Sequence, residues 1–286
     1  MIEDPAEGLD ILLEELRRQK AAGVRRVSVS AESLAALKAL GGAEPAPAAP
    51  APARAVPAAP KPAAAAGTPI ADAPVFTLPE GAKAERMRAL RLRVDACAET
   101  RKHLVAPHRP LLGHGALDAS VLFVGEAPTL EEMDAGQAFA GAAGELLQKI
   151  LGAAVLRPAD CYFAPVMVWR PEAPMAYGKR PPNARELAFN LPYLRAQIGI
   201  VAPRVVVALG AQAFEALHGR SPTITQARGR WFDLGGTPLM PTYHPNYLLH
   251  NPSAAAKRAV WEDFLLVMEK LGLPVSEKQR GYFKVA

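Results

Sequence analysis

The stretch VLFVGEAP, residues 121–128, decides the fold. It is an apolar run that ends at Gly125 and continues into a polar loop. A strand that is apolar at every position is buried on both faces of a sheet. The runs CYFAPVMVW (161–169) and VVVALG (205–210) have the same character, and segments with helical spacing separate them. This alternation predicts an α/β protein in which helices cover both faces of a parallel sheet.

The predicted sheet also gives the position of a functional site. Ligands of such sheets bind outside the carboxyl ends of the strands. That rule selects the loops after Gly125, Trp169, Gly210 and Tyr243. The spacing predicts helices at 81–104, 142–154, 184–201, 211–219 and 253–271, a hairpin at 229–243 and a loop at 244–252. Pro192 is expected to kink or split the helix in which it lies.

Composition divides the chain into four parts. Residues 43–78 are dominated by Ala and Pro, which deny the segment both helical hydrogen bonds and a core, so we expect an extended, semi-rigid linker. Residues 1–42 form a small predicted module, residues 79–275 form the main domain, and residues 276–286 form a tail. Two interpretations of the module stay open: an element that binds a protein partner or oligomerises, and a tethered tail without its own function.

Composition and charge restrict the class of protein. The apolar runs are far shorter than the roughly 18 to 20 residues that span a bilayer, so no transmembrane helix is predicted. The start MIEDPAEGLD lacks the charged-then-apolar pattern of a secretory signal, which favours a cytoplasmic protein. Cys97 and Cys161 are too few for a disulfide framework or a structural zinc site. The net charge of +5 is compatible with an anionic partner such as nucleic acid.

Four strings from the predicted strands and loops carry a family resemblance: VLFVGEAP, QAFAGAAGELLQKIL, VVVALG and PTYHPNYLLHNP. In this order and spacing they resemble the uracil-DNA glycosylase superfamily, closest to its bacterial and archaeal family-four branch, which normally carries an iron–sulfur cluster. The resemblance covers residues 84–271. It implies a three-layer α/β/α sandwich around a short, mainly parallel four-stranded sheet. The implied activity is hydrolysis of the N-glycosidic bond of uracil in DNA, after the base is flipped out of the stack.

The resemblance also implies roles for residues in the loops. His244 would hydrogen-bond the base carbonyl on which negative charge develops, and Phe139 would stack on the flipped base. Glu126 and Glu132 would position or activate water, because Ala127 stands where another branch of the superfamily has its water-activating aspartate. For each of these residues a purely structural role is the alternative.

Gly125 and the segment after the histidine are expected to contact the substrate. Gly125 would let the backbone approach the base, because glycine tolerates torsions that other residues avoid. Leu248 and Leu249 stand where the family has side chains that enter the duplex, and burial at the sheet edge is the competing interpretation. Phosphate contacts are expected from basic residues near these loops, among them Arg170, Arg180 and Lys257.

The cysteine pattern departs from that of the family. Aligning the neighbouring strings puts the four cluster cysteines of the family branch at Cys97, Thr100, Trp169 and Asn190. One thiolate cannot hold a cluster that needs four such ligands, so we predict no iron–sulfur cluster, no other cofactor and no metal site. The large side chain of Trp169 is expected to help fill the space by packing.

A second departure is Pro165, which stands where the family has an asparagine that reads the Watson–Crick edge of uracil. Proline offers neither a side-chain donor nor a backbone N–H. A site built to hydrogen-bond one base loses discrimination when a partner is missing. Either other groups read the base, or the substrate differs, or activity is weak or absent.

The leading hypothesis is a monomeric, cluster-free DNA glycosylase that removes uracil or a related deaminated base. The alternative is a non-catalytic module with the same fold that binds DNA or its lesions, and Pro165 supports it. A generic nucleotide-binding domain is a third hypothesis, but the sequence contains no GxGxxG or Walker loop. Replacing His244 by alanine separates the first two, because it should abolish base release and leave mere binding nearly unchanged.

Overall fold

The structure is a computed structural model that describes residues 70–171, 180–219 and 222–283. These residues fall in a compact unit that spans Pro62–Ala286. The predicted N-terminal module and the predicted linker up to residue 69 lie outside the described residues. In the described part of the predicted linker, Ile70, Phe76 and Leu78 pack against the core, and the Phe76 ring stacks on Tyr193 with 5.6 Å between centroids.

The described residues contain one mixed sheet with the strand order β1–β3–β2–β4–β6–β5. Its strands are β1 (His114–Gly115), β2 (Val121–Gly125), β3 (Cys161–Pro165), β4 (Val205–Leu209), β5 (Phe232–Leu234) and β6 (Thr237–Thr242). The four central strands are parallel, and the edge strands β1 and β5 are antiparallel to their neighbours. The α/β class is confirmed, but this sheet has six strands rather than four. Strand β1 is too short for a hydrophobic pattern to reveal, and β5 is the first arm of the predicted hairpin.

Helices cover both faces of the sheet. In chain order they are α1 (Lys83–Ala96), α2 (Ala98–Lys102), α3 (Leu130–Ala135), α4 (Ala142–Ala153), α5 (Ala184–Val201), α6 (Ala211–His218), α7 (Ile224–Ala227), α8 (Pro245–His250), α9 (Ala254–Leu271) and α10 (Glu277–Gly281). Helices α1, α5 and α6 pack on one face, and α4 and α9 pack on the other, each with its own hydrophobic cluster. This arrangement is the predicted three-layer sandwich. Among the described residues, no helix is both long and apolar enough to cross a membrane.

Two predicted helices differ from the observed ones. The helix expected at 81–104 is interrupted at Cys97, whose extended backbone (ψ 116°) separates α1 from α2. Of the kink or split expected at Pro192, the split does not occur, since α5 is continuous through this residue. An internal proline costs a helix about 3 kcal/mol. Burial of Phe189, Tyr193 and Leu194 on the same helix offsets this cost.

Two changes of secondary structure shape the carboxyl edge of the sheet. Strand β3 ends at Pro165, earlier than predicted, and Val166 turns away while its N–H donates to the Gly125 carbonyl at 3.2 Å. The loop expected at 244–252 contains the short helix α8. That helix begins with Pro245 at its first position, where the missing N–H breaks no helical hydrogen bond.

Candidate active site

A cavity of about 480 Å³ opens at the carboxyl ends of β2 and β4, where the strand rule placed the site. Residues singled out from the sequence line much of it: Glu126, Ala127, Glu132, Arg170, Arg180, His244 and Leu249. Phe139 lies next to the cavity, directly against Gly125. A β-carbon added to Gly125 would lie 2.7 Å from Cζ of Phe139, so only glycine admits this approach.

His244 joins β6 to α8 and caps the amino end of that helix. Its Nδ1 accepts a hydrogen bond from the Asn246 backbone N–H at 3.1 Å. Because Nδ1 is the acceptor, the neutral ring carries its proton on Nε2. The side chain can therefore donate a hydrogen bond from Nε2 to an acceptor in the cavity.

Gly210, at the end of β4, brings the carboxylate of Glu126 close to His244. Its φ of +92° lies in a region that residues with a β-carbon rarely adopt. A β-carbon at Gly210 would lie 2.5 Å from Glu126 Oε1 and 3.2 Å from His244 Cβ. Glycine is therefore needed both for the turn and for the close approach of the two side chains.

Phe139 adopts a strained backbone conformation with φ of +58°. Such left-handed torsions cost a residue with a side chain roughly 1–2 kcal/mol. The Phe139 ring is nearly parallel to the His244 imidazole, with 5.9 Å between centroids and 16° between planes, and it meets Phe163 edge-on. A β-carbon at Gly144 would overlap the Phe139 carbonyl. Neighbouring residues therefore impose the position of this ring.

Two side chains from different elements hold the peptide group between Ala138 and Phe139. Glu132 Oε1 accepts a hydrogen bond from the Phe139 N–H at 2.5 Å, and His114 Nε2 donates one to the Ala138 carbonyl at 3.0 Å. Glu132 Oε2 accepts two more bonds, from the Thr129 N–H at 2.8 Å and the Thr129 hydroxyl at 3.0 Å. With three donors on its carboxylate, Glu132 holds the loop, and its expected role in positioning or activating water stays a prediction.

Pro165 is buried beside Gly125, its partner in the parallel β2–β3 ladder. It presents no polar hydrogen to the cavity. Two carboxamides line the cavity instead: Asn246, and Gln212, whose Oε1 accepts a hydrogen bond from the Ala127 N–H at 3.4 Å. The sequence did not single out either one, because a lone amide in the first turn of a helix follows no recognisable pattern.

The two leucines of α8 face different surroundings. Leu249 is 42% exposed and lines the cavity, whereas Leu248 is 4% exposed and packs in the core. Leu248 would have to leave the core to enter DNA, so its assignment as a wedge is corrected to burial. Tyr247, which the sequence did not single out, is exposed and packs on Tyr243 with 4.7 Å between ring centroids. Lys257 lines a separate apolar pocket outside the cavity.

Arg180, at the rim of the cavity, is paired with a buried carboxylate. Its two terminal nitrogens donate to Glu186 at 2.6 and 2.7 Å. The side chain of Glu186 is 3% exposed and that of Arg180 is 16% exposed. Bidentate pairing of this kind fixes the guanidinium geometry. Arg180 is therefore a pre-positioned cation whose charge is partly neutralised.

The positions that match the family's cluster cysteines do not fit an iron–sulfur cluster. Trp169 is fully buried, stacks on His103 with 4.8 Å between centroids, and lies 5.5 Å from Phe189. The amide of Asn190 is hydrogen-bonded to two backbone groups. Cys97 supplies one thiol. Within the part of the chain that the structure describes, no cluster of His, Cys, Asp and Glu could hold a metal.

Comparison with known proteins shows which family this chain matches. The profile of the uracil DNA glycosylase superfamily matches residues 112–265, a segment that contains every strand of the sheet and all residues of the cavity.

Individual relatives give the same result. The chain is 39% identical to the type-4 uracil-DNA glycosylase of Thermotoga maritima over 183 residues, which are 63% of this chain and 92% of that protein. It is 37% identical to the type-4 uracil-DNA glycosylase of Pyrobaculum aerophilum over 149 residues, which are 49% of this chain and 74% of that protein. It is 30% identical to that of Saccharolobus solfataricus over 168 residues, 56% and 74% of the two chains.

Proposed function

This chain belongs to the type-4 branch of the uracil DNA glycosylase superfamily, and we propose that it hydrolyses the N-glycosidic bond of uracil, or of a related deaminated base, in DNA. The observation that carries the proposal is the meeting of Glu126, Phe139 and His244 at one cavity. The imidazole there is in the tautomer that donates from Nε2. A module that only bound DNA would have no chemical use for this combination.

The base has to leave the DNA stack to reach the cavity, because its glycosidic bond is inaccessible inside a duplex. Unstacking costs a few kcal/mol. Stacking of a base on an aromatic ring returns about 1–3 kcal/mol. Phe139 would provide that ring, held in place by Glu132 and His114. The exposed Leu249 and Tyr247 at the edge of the cavity would face the gap that the base leaves.

Breaking the bond between the sugar carbon and the base nitrogen leaves negative charge on the base and positive charge on the sugar. His244 Nε2–H would donate to the base carbonyl as that charge develops, a contribution of about 2.7–4 kcal/mol for one such donor. Glu126 would orient the water that attacks the sugar and accept its proton. The hydroxyl ends on the sugar and a proton ends on the base, so the reaction consumes one water.

Recognition of the base would fall to groups other than Pro165. The carboxamides of Gln212 and Asn246 line the cavity and can each donate and accept a hydrogen bond. Oligonucleotides that carry uracil, hypoxanthine or xanthine, in single and double strands, would reveal the preferred base.

We propose that the protein works without an iron–sulfur cluster, because the four matching positions supply one thiol, one hydroxyl, one indole and one amide. Iron analysis and a visible absorption spectrum of the purified protein test this point. Stoichiometric iron with a charge-transfer band would contradict it. A monomer in the cytoplasm, and a protein partner for residues 1–42, stay predictions from the sequence.

The second candidate function is non-catalytic binding of DNA lesions, which Pro165 favours. A base-release assay with alkali cleavage of abasic sites separates the two. His244→Ala should lower the rate of release by about 10²- to 10³-fold and leave DNA binding in place. The matched control is His250→Ala, an exposed histidine at the other end of α8, which should keep the normal rate. Binding without release of any base by the unmodified protein would favour the second function.

A further inference from the structure

A buried ion pair, named here the Arg228–Asp263 pair, lies next to the strand that leads to His244. Asp263, on α9, is 1% exposed. It accepts hydrogen bonds from Arg228, at 2.8 Å from Nη2 to Oδ1 and at 3.1 Å from Nε to Oδ2. Burial raises the pKa of Asp263 to about 6, while hydrogen bonds from Thr242 and the charge of Arg228 favour the ionised form.

The Arg228–Asp263 pair holds the two residues that precede His244. Thr242 is fully buried, and its hydroxyl donates to Asp263 Oδ2 at 2.6 Å. The Arg228 guanidinium lies 5.8 Å from the centre of the Tyr243 ring, within the range of a cation–π contact. Arg228 also donates to a backbone carbonyl of α9. The end of β6 is therefore tied to α9 immediately before the histidine.

Thr242 is also tied to the end of the neighbouring strand β4. Its carbonyl accepts a hydrogen bond from the Gly210 N–H at 2.8 Å. Gly210 is the residue on which Glu126 and His244 meet, since its missing β-carbon would touch both side chains. Thr242 therefore links the strand before His244 to the residue at which Glu126 and His244 meet.

Stability alone is a weak reason for such a pair, because well-packed apolar residues often serve a fold as well as a buried ion pair does. We infer that the Arg228–Asp263 pair positions His244, acting through Thr242 and Tyr243 to fix the direction in which Nε2 donates to the leaving base. This inference rests on the proposed function. It adds Arg228, Thr242 and Asp263 to the reaction as positioning residues, which do not touch the substrate.

Thr242→Val tests the inference, because valine has the shape of threonine and removes only the hydroxyl that bonds Asp263. Thr242→Ser keeps the hydroxyl and is the matched control. We expect the valine variant to lower the single-turnover rate of base release by about 10- to 100-fold, with DNA affinity within about twofold of normal. The serine variant should stay within about threefold of the normal rate. Equal losses in both variants, or a loss confined to DNA affinity, would overturn the inference.

A measurement that does not depend on activity keeps this inference separate from the proposed function. Nitrogen NMR of protein labelled at histidine reports the tautomer and surroundings of each imidazole, and His244→Ala assigns the relevant signals. We expect the His244 signals to move in Thr242→Val and to return in Thr242→Ser, with those of His250 unchanged. If the protein releases no base, that result contradicts the proposed function only. Unmoved His244 signals in Thr242→Val overturn the inference.

Discussion

The cavity around His244 and the interior around Trp169 belong to the same sandwich but are built from different kinds of side chain. At the cavity, the side chains of Glu126 and His244 come together beside Gly210, and the proposed role of each depends on hydrogen bonding. Around Trp169, positions that match metal ligands in the family carry aromatic and amide side chains that pack or bond to the backbone. The difference agrees with the proposal that apolar packing holds these segments together without a cluster, whereas bond hydrolysis needs donors and acceptors.

The largest expected effect is on stability, from Trp169→Ala. Its side chain is fully buried, and its Nε1 has no hydrogen-bond partner among the described residues, so its contribution is packing. Truncation of a buried tryptophan costs about 3–5 kcal/mol of the free energy of unfolding. Urea denaturation measures this loss. Base release per folded molecule should change little, because the ring does not line the cavity.

Trp231→Ala is the control for that experiment. Trp231 is half-buried and lies near Lys270, with 5.5 Å from Nζ to the ring centre. Its loss should lower the free energy of unfolding by clearly less than the loss of Trp169. Equal destabilisation by the two variants would show that Trp169 has no special role in packing. The proposed contrast between the packed interior around Trp169 and the polar cavity would then be wrong.

Glu126→Gln should produce the opposite result: a loss of activity without a loss of stability. The amide keeps the size of the side chain but cannot accept a proton from water, and removal of such a group lowers rates by about 10²-fold or more. Single-turnover base release measures the effect. Glu131→Gln is the control, because that exposed carboxylate also lines the cavity and has no part in the proposed mechanism. Comparable rates for the two variants would remove Glu126 from the reaction.

His114 should have a smaller effect, because it acts on the base only through Phe139. His114→Leu removes the donor to the Ala138 carbonyl, and a hydrogen bond of this type is worth about 1–1.5 kcal/mol. We therefore expect about a tenfold lower rate of base release. His114→Gln places an amide nitrogen near the position of Nε2 and should recover most of the rate. Failure of glutamine to recover more than leucine would show that the imidazole only packs, against Phe163.

The sequence was sufficient to predict the sandwich and the position of the cavity, because both follow from local patterns. The apolar runs at 121–125 and 205–209 became buried parallel strands, and residues from the segments that follow them line the cavity. The contacts that hold the site join distant segments. His114 and Ala138 are 24 residues apart, and Thr242 and Asp263 are 21 residues apart. No spacing rule connects such pairs, so the sequence could not reveal them.

Leu248 and Leu249 show a second limit of the same kind. The segment at 244–252 was expected to be a loop, in which neighbouring side chains have no fixed faces. It contains the six-residue helix α8, and a helix turns successive side chains by about 100°. One leucine therefore enters the core and the other lines the cavity. The choice between them required the packing of α8 on α4.

The smallest expected effect comes from the titration of Asp263. It distinguishes the region that holds His244, whose contribution to stability should depend on pH, from the region around Trp169. Burial raises the pKa of this carboxyl group to about 6, from an ordinary value of about 4. A group whose pKa is higher in the folded state binds its proton more readily there. Its contribution to the free energy of unfolding therefore increases as the pH falls from about 6 to about 4. The aromatic packing around Trp169 has no comparable dependence.

Urea denaturation of the normal protein and of Asp263→Asn at several pH values checks this sign. Between pH of about 7 and about 5, the difference in free energy of unfolding between the two proteins should shift by about 1 kcal/mol in favour of the normal protein. Asp118→Asn is the control, because the Asp118 side chain is 90% exposed. Base release should not rise over the same interval, since protonation weakens the hold of Asp263 on Arg228 and Thr242. A parallel rise in stability and in rate would mean that the charge of Asp263 has no part in holding His244.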